Sequence, residues 1–137
     1  MSKYRTESQP IPVPTPVTQP FWDATKEHRL MLQRCNNGHT FYYARTHCPE
    51  CLSNELAWVQ ASGRGKLYSY TVARRPQSPE FAEDVPYIIA AITLEEGPRM
   101  TSLLVEADPD NVAIDGPVEV TWDDVSDELA MPYFRPV

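Results

Sequence analysis

Apolar and polar residues alternate with a period of two along much of the C-terminal half of the chain. In Val118-Glu119-Val120-Thr121-Trp122-Asp123 the apolar set takes one face and the polar set the other, as a strand with one buried and one wet side requires. Leu67 to Ala73, Tyr87 to Leu94 and Met100 to Val105 read as strands too, and Tyr133-Phe134-Arg135-Pro136 supplies a short closing one. Glu95-Glu96-Gly97-Pro98 is a hairpin turn between two of them, and Asp115-Gly116-Pro117 turns the chain before the last alternating run. Helical periodicity is nearly absent. Five strands with one longer excursion, Arg74 to Pro86, predict a small closed barrel of the OB type. Ser62-Gly63-Arg64-Gly65-Lys66 marks its start. A strand rather than a helix follows these glycines, so they predict a bend or bulge and not a nucleotide loop.

The N-terminal half is patterned differently. Pro10, Pro12, Pro14, Pro16 and Pro20 remove backbone donors and fix φ, which predicts an extended arm over residues 1–20. Such an arm is either a disordered tail or a segment that lies along a partner and buries Ile11, Val13 and Val17 there. Phe21 to His28 reads as a short helix, with Phe21 and Trp22 as anchors against the body or a partner and His28 exposed near the helix end. Arg29 to Arg34 then reads as a strand with Leu30 and Leu32 on one face. Phe41-Tyr42-Tyr43 is a return strand, and Glu55 to Gln60 resumes an extended course with Trp58 buried. The expectation is a mostly β chain in three parts: an arm over 1–20, a short helix and small ribbon over 21–61, and a barrel over 62–137.

The ribbon carries the chemistry. All three cysteines lie in Cys35-Asn-Asn-Gly-His39-Thr-Phe-Tyr-Tyr-Ala-Arg-Thr-His47-Cys48-Pro-Glu-Cys51. Cys48-x-x-Cys51 is a knuckle that aims two thiolates at one ion, and a tetrahedral zinc needs four ligands. The first knuckle has Gly38 where a second cysteine is expected, followed by His39. These residues read as a Cys3His zinc ribbon of Cys35, His39, Cys48 and Cys51, with His47 competing for the fourth place. A redox pair normally sits between a strand and a helix, which Pro49 and Glu50 do not suggest, and a disulfide leaves one cysteine over. If neither histidine substitutes, the ribbon is metal-free and held by packing. A ribbon this small buries little apolar surface by itself, so a metal would contribute much of its folding energy.

Charge narrows the function. The chain has 137 residues and a net charge of −7. Residues 1–62 carry six Lys/Arg against five Asp/Glu, and residues 63–137 carry six against fourteen. A barrel at −8 repels a phosphate backbone, which weighs against an OB-fold nucleic-acid binder stacking bases on Tyr68, Tyr70 and Phe81. No apolar run is long enough to span a membrane and no signal segment opens the chain, and with unpaired cysteines a reducing cytoplasm is expected. A stand-alone thioesterase or acyltransferase lacks an assignable nucleophile, since each cysteine is better used as a metal ligand and no G-x-S-x-G occurs. Glu95-Glu96 and Asp123-Asp124 sit in turns or at strand ends, where solvation is the expectation.

Phe21-Trp22, Leu30 to Cys35, Cys48-Pro-Glu-Cys51, Trp58 and Ser62-Gly-Arg-Gly65 recur in one order with Tyr68-Ser-Tyr-Thr71, Pro86-Tyr87, Leu94-Glu-Glu-Gly-Pro98, Gly116-Pro-Val118 and Phe134-Arg-Pro136. Over roughly residues 20–136 this resembles an acyl-CoA-associated family that joins a rubredoxin-like zinc ribbon to an OB-fold domain. The missing second cysteine departs from the family pattern. The resemblance implies a non-catalytic accessory subunit in a hetero-oligomer with a thiolase-like partner, which carries the nucleophilic cysteine and makes or breaks carbon–carbon bonds of acyl-CoA or acyl-ketone substrates. The accessory subunit would brace the partner and help shape its CoA and substrate channel. Arg64, Lys66, Arg74 and Arg75 are then candidates for a CoA thioester at the partner interface. A straight strand would hold Lys66 and Arg74 roughly 26 Å apart, so they form two clusters. Either they are ion-paired with neighbours such as Glu80, Glu83 or Glu96, or the Arg74/Arg75 end meets CoA phosphates.

Overall fold

A computed structural model describes residues 2–5 and 8–137. One helix and eight strands follow in order: α1 (Gln19–Thr25), β1 (Met31–Cys35), β2 (Thr40–Phe41), β3 (Leu56–Gln60), β4 (Arg64–Ala73), β5 (Tyr87–Leu94), β6 (Arg99–Leu104), β7 (Pro117–Asp124) and β8 (Ala130–Pro136). A 3-10 turn, Pro79–Phe81, interrupts the excursion between β4 and β5.

The helix starts two residues earlier than its pattern suggests, because Pro20 falls in the first turn, where its missing N–H costs nothing. It also ends earlier. His28 adopts φ +56°, and the Arg29 and His28 amides bond back to the carbonyls of Ala24 and Thr25, a left-handed close that stops the helix. Phe21, Leu30 and Leu32 are buried in one continuous core with the barrel residues Leu67, Ile92 and Phe134. Phe21 thus anchors the chain to its own body. Trp58, expected to be buried, is half-buried and packs against this core from its rim.

The ribbon sheet has the order β2-β1-β3, antiparallel throughout. The remaining strands close into a barrel in the order β4-β5-β6-β8-β7, with β4 completing the ring to β7. The β6–β8 pair is parallel and the others are antiparallel. This is the five-stranded Greek-key arrangement of an OB fold. At Gly65 the first barrel strand serves two neighbours, pairing with Leu94 on one side and Val118 on the other. A Cβ there would stand 2.5 Å from the Thr93 carbonyl oxygen, and one on Gly63 (φ +83°) would stand 2.6 Å from Val120 Cγ1. The glycines therefore permit strand crossing, while the register shift falls at Leu67/Ser69.

The helix is stitched to the barrel. The buried Thr25 hydroxyl donates to the Trp22 carbonyl at 2.6 Å and accepts from the Ala130 amide at 3.0 Å. His28 is exposed, as expected, yet it stacks on Trp122 at 5.4 Å and reaches Asp124 at 2.8 Å.

The arm lies on its own barrel. Asp123, expected to be solvated, is fully buried, and its carboxylate accepts from the Ser2 hydroxyl and from the Lys3 and Tyr4 amides. Tyr4 packs edge-on against Tyr133 and bonds Glu106, and Gln9 is buried against Glu80 and Asp84. Beyond it, Pro12 and Pro14 are half-buried while Ile11, Val13 and Val17 face outward. No helix among the described residues is long and apolar enough to cross a membrane.

Candidate metal centre

Two turns and a hairpin build the centre. After β1, the Gly38 amide bonds the Cys35 carbonyl and Gly38 takes φ +88°, which swings the chain back into β2. The second turn repeats this device: the Leu52 amide bonds the Cys48 carbonyl, with Leu52 at φ +63°. Between them the loop is clamped by Gln33, a buried glutamine on β1 that bonds both the amide and the carbonyl of Arg45. Asn36 ties the turns together, donating to Glu55 and accepting from Ser53.

The donor atoms of Cys35, His39, Cys48 and Cys51 lie within 4.8 Å of one another. A tetrahedral zinc with bonds of about 2.3 Å to sulfur and about 2.05 Å to nitrogen sets sulfur–sulfur edges of about 3.8 Å and sulfur–nitrogen edges of about 3.6 Å. Cys35 Sγ and Cys51 Sγ are 3.8 Å apart, and His39 Nδ1 stands 3.4 Å from Cys35 Sγ and 3.6 Å from Cys48 Sγ. The residues present therefore fit the ion, with His39 offering Nδ1. His47 is exposed and bonds its neighbour Thr46 at 3.0 Å, outside the cluster.

The surroundings favour the thiolate at Cys51 and Cys35 but not at Cys48. The Asn37 amide donates to Cys51 Sγ at 3.3 Å and, with the Ser53 backbone N–H, draws that thiol down to about 6. Burial acts on Cys35 most strongly and upward, but the His39 and Asn37 N–H groups leave it lowered on balance. Burial pushes the Cys48 thiol up. The Cys51 and Cys35 sulfurs raise His39, whose Nε2 faces the Glu50 carboxylate at 3.5 Å, the second contact that orients a ligating imidazole. A Cys3His cluster in a zinc-ribbon setting supports a structural zinc. Sequence reading missed Gln33, Asn37 and Glu50; with Arg34 beside it, nothing local marks Gln33 as the buried one of the two.

The basic residues separate as expected. Arg64 pairs with Glu95 at 2.6 Å and Arg74 with Asp110 at 3.5 Å, both on the surface, in place of the acidic neighbours anticipated from sequence. Lys66 lies two residues from Arg64 on β4, and Arg75 follows Arg74 beyond the strand's far end. The base-stacking candidates also part company: Tyr70 packs against the core, Phe81 meets Tyr87, and Tyr68 lies under the Arg99 guanidinium at 3.5 Å.

Two family models match in succession: the ChsH2 rubredoxin-like zinc ribbon domain over residues 22–57 and the ChsH2 C-terminal OB-fold domain over residues 58–123. A probable enoyl-CoA hydratase alpha subunit of Thermomonospora curvata is 40% identical over 118 residues, covering 85% of this chain and 36% of that protein. A DUF35 domain-containing scaffold protein of Methanothermobacter thermautotrophicus is 39% identical over 92 residues, 66% of this chain and 68% of that one. Among solved structures, a chain of the Ltp2-ChsH2(DUF35) aldolase superposes with a TM-score of 0.80 at 35% identity, covering 92% of this chain and 98% of that one. The chain thus spans about a third of the hydratase subunit's length and nearly all of the matched chain of the aldolase.

Proposed function

This chain belongs to the ChsH2 (DUF35) family of zinc-ribbon and OB-fold proteins, and on that premise we propose that it is a non-catalytic accessory subunit of a thiolase-like complex. The partner makes or breaks carbon–carbon bonds of acyl-CoA or acyl-ketone substrates, and this subunit braces it and helps shape its CoA and substrate channel. The observation that carries this reading is the likeness along 98% of a chain in the Ltp2-ChsH2(DUF35) aldolase. The use of all three cysteines in one cluster supports it, because none is left as a separate nucleophile.

Cys35, His39, Cys48 and Cys51 are the proposed ligands of a structural zinc. Bound there, the ion would cross-link the β1–β2 hairpin to the Cys48–Cys51 turn and hold the ribbon against α1. Thiolate ligands suit a reducing cytoplasm, the compartment proposed here. At the partner interface, Arg74 and Arg75 meet the phosphates of a CoA thioester, with Arg64 and Lys66 as a second cluster; guanidinium forks match phosphate oxygens, and the exposed Arg74–Asp110 pair is weak enough to exchange.

A second reading rests on the hydratase alpha subunit, whose identity to this chain is 40%. There the partner would be a hydratase rather than a thiolase-like subunit. Co-expression with a tagged thiolase-like subunit, and separately with a tagged hydratase subunit, distinguishes the two. Stoichiometric capture by the first alone is expected. Capture by the hydratase alone would replace the proposal with the second reading, and capture by neither would remove both.

A further inference from the structure

A groove of about 320 Å³ opens where the arm, α1 and the outer side of β5, β6 and β8 meet. Trp22, Tyr42, Phe81 and Tyr87 are among its aromatic lining residues, and Ile89 and Leu103 belong to the barrel strands. The second and third strands of an OB barrel are the face on which such folds take ligands. A mostly apolar concavity of this size with a few polar groups has the character of a small-molecule site. Tyr42 is held by edge contacts with Phe21 at 5.6 Å and Tyr43 at 4.6 Å, so its ring is fixed before anything binds. Its hydroxyl has no hydrogen-bond partner among the described residues, and burial pushes its phenol up, keeping it a neutral O–H donor. The charges at the mouth, Arg5 and Asp84, are already engaged: Arg5 donates to the Pro10 carbonyl, and Asp84 accepts from Gln9. The Asp84 carboxylate also disfavours an anion in this groove.

We propose that this groove binds a neutral ring compound carrying a ketone or hydroxyl oxygen, its rings among the aromatic lining side chains and its oxygen on the Tyr42 hydroxyl. The volume suits a group of about two fused rings, the lower end of ligand-site sizes. This goes beyond the accessory role and does not depend on it, since every contact comes from this chain.

The test uses the zinc-loaded full chain without a partner. The probe is a propionyl-dimethylaminonaphthalene, a neutral bicyclic ketone whose emission reports its surroundings, and the same naphthalene without the propionyl group is the control. Saturable binding of the ketone is expected, with quenching of tryptophan emission through Trp22. Tyr42→Phe should weaken the ketone on the order of three- to tenfold, the worth of one hydrogen bond, and leave the control compound unchanged. Ile89→Trp should abolish binding of both by filling the groove. Leu103→Trp, from the adjacent strand, replaces it if that variant fails to retain zinc and a cooperative melt. Absence of saturable binding overturns the proposal. So does an equal effect of Tyr42→Phe on both compounds, or ketone binding that survives a folded groove-filling variant. None of these outcomes bears on assembly with a partner.

Discussion

Cys48 is fully buried at the turn that completes the ribbon, and among the described residues the cluster holds four donors and no fifth to replace its sulfur. Cys48→Ser is expected to release the metal and loosen the ribbon, measured as zinc per chain and as a lowered melting temperature. His39→Ala should lose zinc affinity, whereas His47→Ala should keep it, because only the first presents a ring nitrogen to the sulfurs. Equal loss in both would contradict the proposed ligand set. Asp123 makes a different residue-scale prediction. Its carboxylate gathers the start of the arm, so Asp123→Ala should expose the amides of residues 3 and 4 to hydrogen exchange and cost about 1–3 kcal/mol. Glu106 adds a pH dependence: the Tyr4 hydroxyl foremost, with Lys3 and Arg135, holds its carboxyl below the ordinary value. Its contribution is complete above that ordinary value and fades as the pH falls through the depressed one, so the protection of the arm amides relative to their intrinsic exchange rates should fall in acid. The cysteine spacing was legible in the sequence because its turns are local. Asp123 was not, because its partners lie 119–121 residues away and nothing in Trp-Asp-Asp announces them.

Among the elements, β4 does the most to organise the barrel, and its glycines admit a direct check. Gly63→Ala places a Cβ against Val120 in a left-handed conformation and should cost about 2–3 kcal/mol. Gly97→Ala, at φ +110° but with open space around it, should cost about 1 kcal/mol. Equal midpoints in denaturant melts would mean that crowding at Gly63 is not what requires glycine. The alternation that reveals β5 to β8 is legible because each strand has one wet face. The purpose of Gly63 and Gly65 is not, since strand crossing is a relation between β4, β5 and β7 that no short window contains. The helix ends moved for a similar reason, with Pro20 accepted into the first turn and His28 closing the last one through backbone bonds.

At the scale of the molecule, ribbon, helix and barrel share a core through Phe21, Leu30 and Leu32, while the cysteines sit in a smaller apolar cluster of their own with Phe41 and Leu56. The arm settles its polar side on that body and turns Ile11, Val13 and Val17 outward. The proposed CoA contact is tested on the assembled complex: Arg74→Glu with Arg75→Glu should weaken acyl-CoA use roughly tenfold or more and leave the zinc content unchanged. Unaltered use by a normally assembled complex would make these arginines ordinary surface charge. Assembly itself is the most direct measurement. Light scattering across a size-exclusion peak of the zinc-loaded chain mixed with its candidate thiolase-like subunit should give one hetero-oligomer with both subunits in fixed ratio, lost or diminished for Cys48→Ser. Two separate peaks at equal micromolar concentrations, with this chain eluting at its own 15.6 kDa, would contradict an accessory role.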